Sequence, residues 1–435
     1  MSTPASRIET ANVCWNFTEN AREGALRCSL SQPLPRLRTN LDFMPSPVSD
    51  RPGLLIRDPY RYSDMTLIVP PVLVQCLQCF DGEQTDLDVK ALLAKLTGEL
   101  EVSDVAAHLI DTLSKSGFLE DEVFERVKEA REREFAAAPK RDPSHAGSAY
   151  PEELDPLLST LDRYMEGQPR AGQSDGLVGI AAPHVSPEGG WQSYRAAYGM
   201  MAQQYKDRTF VVLGTSHYGE PERFGLTRKT FVTPLGESVV DTALVDWLDQ
   251  KASPAIRMED YCHAVEHSIE FQVLFLQHLY GPDIRILPVL CGPYARSLCA
   301  GGKPEEDENV RRFLDALGEL AARDAGRLFW VLGIDMAHMG RRYGDPFTAR
   351  ADQGPMLETT ARDRGRIDRV AAGDAEGFWN LVQENQDDLK WCGSSPLYTF
   401  LKAVPQARGR LLRYEQWNID EQSVVSFGGM AFTQS

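Results

Sequence analysis

Cysteine, basic charge and long apolar runs are all scarce in this chain, and each scarcity excludes something. Eight cysteines in 435 residues, Cys14, Cys28, Cys76, Cys79, Cys262, Cys291, Cys299 and Cys392, read as reduced thiols, because a reducing compartment disfavours structural disulfides. Most are then small apolar fillers. Cys76 and Cys79 have C-x-x-C spacing but lie inside the apolar stretch VLVQCLQCF, with no second pair nearby, so helix packing is expected in place of a zinc half-site. Lys and Arg number 46 against 63 Asp and Glu, a formal charge of -17. That balance argues against a nucleic-acid or anionic-membrane partner, since phosphate binding relies on clustered basic residues. No apolar run approaches the roughly 18 residues of a membrane span. The opening MSTPASRIET lacks the basic and apolar regions of a signal peptide. A cytoplasmic protein with small-molecule or protein partners is expected.

The length suggests two domains. Residues 1 to about 40 are mixed polar, Pro and Arg without periodicity and read as an arm. From 41 to 121, LLIRDP and TLIVPP read as short strands and VLVQCLQCFDG as a helix closed by Gly82. Thr85 with Asp88 makes an approximate capping box before Leu87, Leu92, Leu93 and Leu96. A second amphipathic stripe, Val105, Ala106, Leu109, Ile110 and Leu113, follows Ser103. Short helices with flanking strands predict a winged-helix-like module. The charged stretch over 122–140 predicts a solvated spacer helix. From 141 to 435, strands (178–183, 209–214, 284–290, 328–334, 424–432) alternate with helices (151–165, 191–204, 240–250, 265–280, 307–323, 374–384, 395–403). There is neither repeat nor low-complexity tract. Such alternation predicts an α/β fold, a mostly parallel sheet with helices on both faces.

Three of those apolar runs end in histidine: GLVGIAAPH at His184, TFVVLGTSH at His217 and LFWVLGIDMAH at His338. Continuous apolar runs are how strands buried on both faces read. Ligands bind beyond the carboxyl ends of parallel strands, so these imidazoles are expected to share one crevice. Asp335 either orients an imidazole from behind or caps a helix. Cys392, in WCGSSP before the apolar PLYTFLKAV, sits where a helix start favours thiolate, and beside imidazoles it becomes a soft metal ligand. HAVEHSIEFQVLF sets His263, Glu266, His267 and Glu270 on one expected helix face. His263, Glu266 and His267 also match H-x-x-E-H, a zinc-protease signature that needs a further carboxylate not identifiable here.

SHAGSAYP, IAAPH, LGTSHYG, EHSIEFQ, ILPVLCG, GIDMAHMGRRYGDP and CGSSPLYTFL occur in the order seen in the Memo family, which this chain resembles over about 144–433. Memo proteins are similar in fold to class III extradiol dioxygenases, non-haem iron enzymes that open catechol rings. The resemblance implies His184, His217 and Cys392 as metal ligands, with His338, Glu266, His267 and Asp335 as further pocket residues. Two imidazoles and an anion resemble the Fe(II) oxygenase pattern, with thiolate replacing carboxylate, which also suits copper or zinc. The implied activity is Fe(II)-dependent redox or oxygenase chemistry on a peptide or small aromatic substrate, with His338 as acid/base. A non-catalytic scaffold and a zinc hydrolase are the alternatives. Residues 41–121 resemble the PqqD-like peptide-recognition fold through LxxFDGEQTxxDVKxLL and VxxxLIDTLSKSGFLED. This module is therefore either a peptide binder that adds a strand at a sheet edge or a structural cap.

Overall fold

The computed structural model describes residues 32–167 and 176–434, which fall in two compact units, one up to Glu134 and one from Phe135 onward. Most of the expected arm, residues 1–40, lies outside the described residues. Its final stretch is not loose. The Leu34 and Leu37 amides donate to Gln84 O (2.7 Å) and Phe80 O (2.8 Å), and Leu34 is buried.

In the first unit, β1 (Asp42–Pro45), β2 (Leu54–Arg57) and β3 (Thr66–Val69) form an antiparallel sheet in that order. The helix expected to run to Gly82 is a single α-turn, Pro71–Val74, that tightens into a 3-10 turn over Gln75–Cys79. Cys76 and Cys79 are buried in this unit's core, and desolvation pushes the Cys76 thiol up to about 11, as befits packing groups. Helix α1 (Asp86–Thr97) starts at the expected capping box, with the Thr85 amide donating to Asp88 (2.7 Å), and stops where Gly98 turns left-handed at φ 74°. Helix α2 (Ser103–Lys115) buries Ala106, Leu109 and Leu113. The charged segment is helix α3 (Glu122–Ala137). Among the described residues no helix is long and apolar enough to cross a membrane.

The second unit is built on four parallel strands, β4 (Leu177–Ala182), β5 (Thr209–Thr215), β6 (Arg285–Cys291) and β7 (Leu328–Gly333), ordered β4-β7-β5-β6 across the sheet. β5 and β7 are buried at every residue, which explains their unbroken apolar runs. Beyond β4, the short β8 (His338–Gly340) and the long hairpin β9 (Arg408–Asp420) and β10 (Ser423–Thr433) continue the sheet antiparallel. Helices pack on the sheet, among them α4 (Pro187–Tyr198), which begins with Pro at its first turn, as fixed φ allows. The expected helix over 265–280 is broken: Cys262–Val265 ends at Glu266, whose ψ of 135° is extended, and α5 (Glu270–Tyr280) starts afresh. Several elements escaped the sequence reading, among them β8 and short strands between residues 224 and 258, and the longest of those missed are β9 and helix α6 (Pro355–Ala371). Helix α7 (Ser394–Ala403) follows Cys392.

Candidate metal centre

Because β4, β7 and β5 run parallel, their carboxyl ends share one edge, and the residues just beyond them converge there. One nitrogen from each of His184, His217 and His267 lies within 4.8 Å of the others, an arrangement able to hold a metal ion. The His184 ring stands edge-on to the other two at centroid distances of 5.0 and 5.1 Å. His217 and His267 stack at 5.0 Å.

Hydrogen bonds orient two of the rings. His184 Nδ1 lies 3.0 Å from Gly333 O; a carbonyl only accepts, so Nδ1 carries a proton and Nε2 is the nitrogen left to face Cys392. His217 Nδ1 likewise donates to Glu266 Oε1 at 2.9 Å. Such partners orient metal-ligating histidines and raise their basicity. Cys392 Sγ sits 3.2 Å from His184 Nε2. Burial raises a thiol, but the neighbouring His184 and His217 overcome it and hold Cys392 below its ordinary value. The His217 imidazole is shifted the other way: burial would lower it, and Glu266 and Cys392 raise it well above normal. Sulfur and imidazole thus share a proton-linked pair, as close donors do before a cation displaces the proton.

Asp335 caps no helix. Its Oδ1 accepts the His184 main-chain amide at 2.9 Å and so anchors the segment after β4, and its Oδ2 lies 3.5 Å from His184 Nε2. Burial pushes its carboxyl up to about 6. His338 donates Nδ1–H to Met336 O (3.0 Å) and Lys390 O (3.1 Å), which frees Nε2. Burial first, then the charge of His217, lowers its pKa against the pull of Asp335, so this imidazole is neutral near pH 7.

The broken helix separates the residues of the H-x-x-E-H match. His263 points elsewhere: its Nε2 meets Gly225 O at 3.1 Å, and burial lowers its pKa to about 4. A zinc site built from His263, Glu266 and His267 on one helix face is therefore overturned. Glu266 stands behind the centre, accepting from the His217 amide (2.9 Å), His217 Nδ1 and the His267 amide (3.0 Å). Burial opposes ionisation, yet these partners hold Glu266 well below the carboxylate range. His267 is lowered by burial and by the three other imidazoles around it, against the pull of Glu266.

One histidine was missed in the sequence. His145, in SHAGSAYP, lies 5.5 Å from His267 ring to ring, with Nδ1 3.1 Å from Glu270 Oε2. Glu270 is fully buried and pairs with Arg141 and Tyr150. Arg141 also donates to His263 O (2.8 Å) and Glu266 O (2.9 Å), pinning the segment from 263 to 270. The available signal was the four-residue spacing of Glu266 and Glu270: Glu266 meets the His217 and His267 rings at 2.9 and 3.3 Å, and Glu270 meets His145.

Residues 141–431 match the family model described as Memo-like protein. The chain belongs to the Memo-like family. A MEMO1 family protein of Aquifex aeolicus is 27% identical over 383 residues, covering 87% of this chain and 95% of that protein. This reaches beyond residues 141–431, so that relative shares part of the first unit. A MEMO1 family protein of Thermococcus kodakarensis is 27% identical over 67% of this chain and 99% of its own length. Among solved structures, an uncharacterized protein from Escherichia coli K12 aligns at TM-score 0.37 and 12% identity, over 58% of this chain and 99% of that one.

Proposed function

We propose that this Memo-like protein is a metal-dependent redox or oxygen-dependent enzyme whose centre holds Fe(II), with copper or zinc as alternatives, through His184, His217 and Cys392. The observation that carries this reading is the meeting of His184 Nε2 with the Cys392 sulfur at 3.2 Å, in a cluster of three imidazoles. Nitrogen and thiolate donors suit iron, copper and zinc and disfavour magnesium or calcium. The donor set fits, with His267 as an additional ligand from the same cluster. When bound, iron or copper would supply Lewis-acid and one-electron chemistry, and zinc Lewis-acid chemistry alone.

The chain's own residues supply the rest. His338 accepts a substrate proton at Nε2 while its Nδ1 proton stays tied to two carbonyls. Glu266 is not the base, because its oxygens are committed to His217 and His267; it orients them. Asp335 holds the His184 backbone. The substrate is a peptide or a small aromatic molecule. The first unit fits the peptide role, because β1 and β3 are both edges of its three-stranded sheet among the described residues, where an extended peptide adds as a strand.

Elemental analysis after anaerobic purification tests the centre. Wild type is expected to carry close to stoichiometric metal and a His184→Ala/His217→Ala variant to lose it. Equal iron in both would end this reading. Oxygen consumption then separates enzyme from scaffold: tightly held metal without consumption across catechols, peptides and thiols assigns a binding role instead.

A further inference from the structure

Cys392 is preceded by an unusual stretch of backbone. Asn385, Gln386, Asp387 and Lys390 all adopt left-handed φ, between 52° and 56°. L-residues with side chains avoid this region, and they persist there only when their surroundings over-determine them. Two buried groups of α6 do so, Asp363 and Arg366, one helical turn apart and both nearly devoid of solvent contact. Arg366 Nη1 donates to Asp387 Oδ1 at 2.6 Å and Nη2 to Leu381 O at 2.9 Å. Asp387 Oδ2 in turn accepts the Trp391 amide at 2.8 Å. Asp363 Oδ1 accepts the Trp391 indole N–H at 2.6 Å. The residue before Cys392 is thus gripped at both its main chain and its side chain.

The same carboxylate reaches the other half of the centre. Asp363 Oδ2 accepts from Ser426 Oγ (2.6 Å), and Ser426 Oγ accepts the Ala337 amide (2.8 Å), one residue before His338. His338 itself is bonded to the gripped loop, its amide to Leu389 O at 2.9 Å and its Nδ1 to Lys390 O. Burying a carboxylate is costly unless every lone pair is used; here one donor, Trp391, is on the segment that carries Cys392, a second, Ser426 of β10, is itself bonded to the segment that carries His338, and Tyr414 OH (2.7 Å) is the third.

We propose that Asp363 and the Arg366–Asp387 pair are positioning residues that clamp Trp391 and thereby set the Cys392 sulfur and the His338 ring relative to the metal. This rests on the reading that Cys392 ligates the metal, and the test separates the two. Co(II) is titrated into the metal-free full-length chain, with affinity and the near-ultraviolet thiolate-to-cobalt absorption as readouts. Wild type is expected to show the band and Cys392→Ala to lack it. Trp391→Phe, which keeps the ring's bulk and deletes the indole donor, is expected to weaken Co(II) binding about tenfold and to lose roughly half of the band, the scale expected for groups that orient ligands. Asp387→Asn should do the same and serves if Trp391→Phe does not fold. Tyr414→Phe removes a donor to the same carboxylate from outside both segments and should change neither readout. The clamp is overturned if folded Trp391→Phe and Asp387→Asn bind Co(II) with wild-type affinity and absorption, or if Tyr414→Phe loses as much as they do. If wild type gives no thiolate band, the metal reading itself has failed and the clamp falls with it.

Discussion

Asp335 and Glu270 show how differently two buried carboxylates can behave. Asp335 has no Arg or Lys paired with it among the described residues, and burial, against the pull of His338 and His217 and of main-chain amides, raises its carboxyl from 3.8 to about 6. The folded chain therefore holds this proton more tightly than the unfolded chain does. The stabilisation is complete below pH 4 and is lost as pH rises through 6, an effect of about 3 kcal/mol in the metal-free protein. Glu266 and Glu270 act in the opposite sense in wild type and variant alike, so the stability of wild type relative to Asp335→Asn, from denaturant titrations, should fall by about this amount between pH 4 and pH 7. Glu270 is held ionised by Arg141, after burial's opposing push, and sits well below its ordinary range. Glu270→Gln strands the Arg141 charge, and a loss of about 3–5 kcal/mol is expected for breaking one side of a buried pair, read as a lower denaturation midpoint. His184 and His217 were legible as site residues because each ends a run of apolar residues. His145 was not, since it follows no such run, and its place depends on a glutamate 125 residues away.

At the level of elements, legibility followed the purity of the buried face. β5 and β7 present only apolar or small residues, so their extents were read to within a residue. Helix α6 buries Thr359, Asp363 and Arg366 beside Met356, Ile367 and Val370, and polar residues on the inner face erase the apolar period that marks a helix. The break after Val265 was hidden for a different reason. HAVEHSIEF has an acceptable helical pattern, but Glu266 must turn its main-chain neighbours toward one carboxylate, which an unbroken helix forbids. The broken segment also needs room beside β7: a Cβ on Gly333 would collide with the Ser268 carbonyl and the Gln272 side chain. Gly333→Ala is therefore expected to destabilise by about 1–3 kcal/mol, the usual cost of overpacking, and to weaken metal retention more than its stability loss alone accounts for. Thermal melts with parallel metal analysis would check both effects.

Across the molecule, the second unit carries every residue of the centre, and the Thermococcus kodakarensis relative aligns over 99% of its own length with only 67% of this chain. A fragment beginning at Phe135 is expected to retain metal with the stoichiometry of the full chain; loss of metal from a folded fragment would show that the first unit contributes to holding it. Within the sheet, β4 is bonded on one side to β7 and on the other to β10, and neither is made until long after it. While the chain is being synthesised, the strand that leads to His184 has no neighbour to lie against until residue 333 has left the ribosome, and no second neighbour until residue 433 has. Long-range pairings of this kind form late. On the proposed metal reading, a nascent chain stalled before Cys392 would carry the imidazoles without the sulfur, so the full donor set exists only after residue 392 has been made.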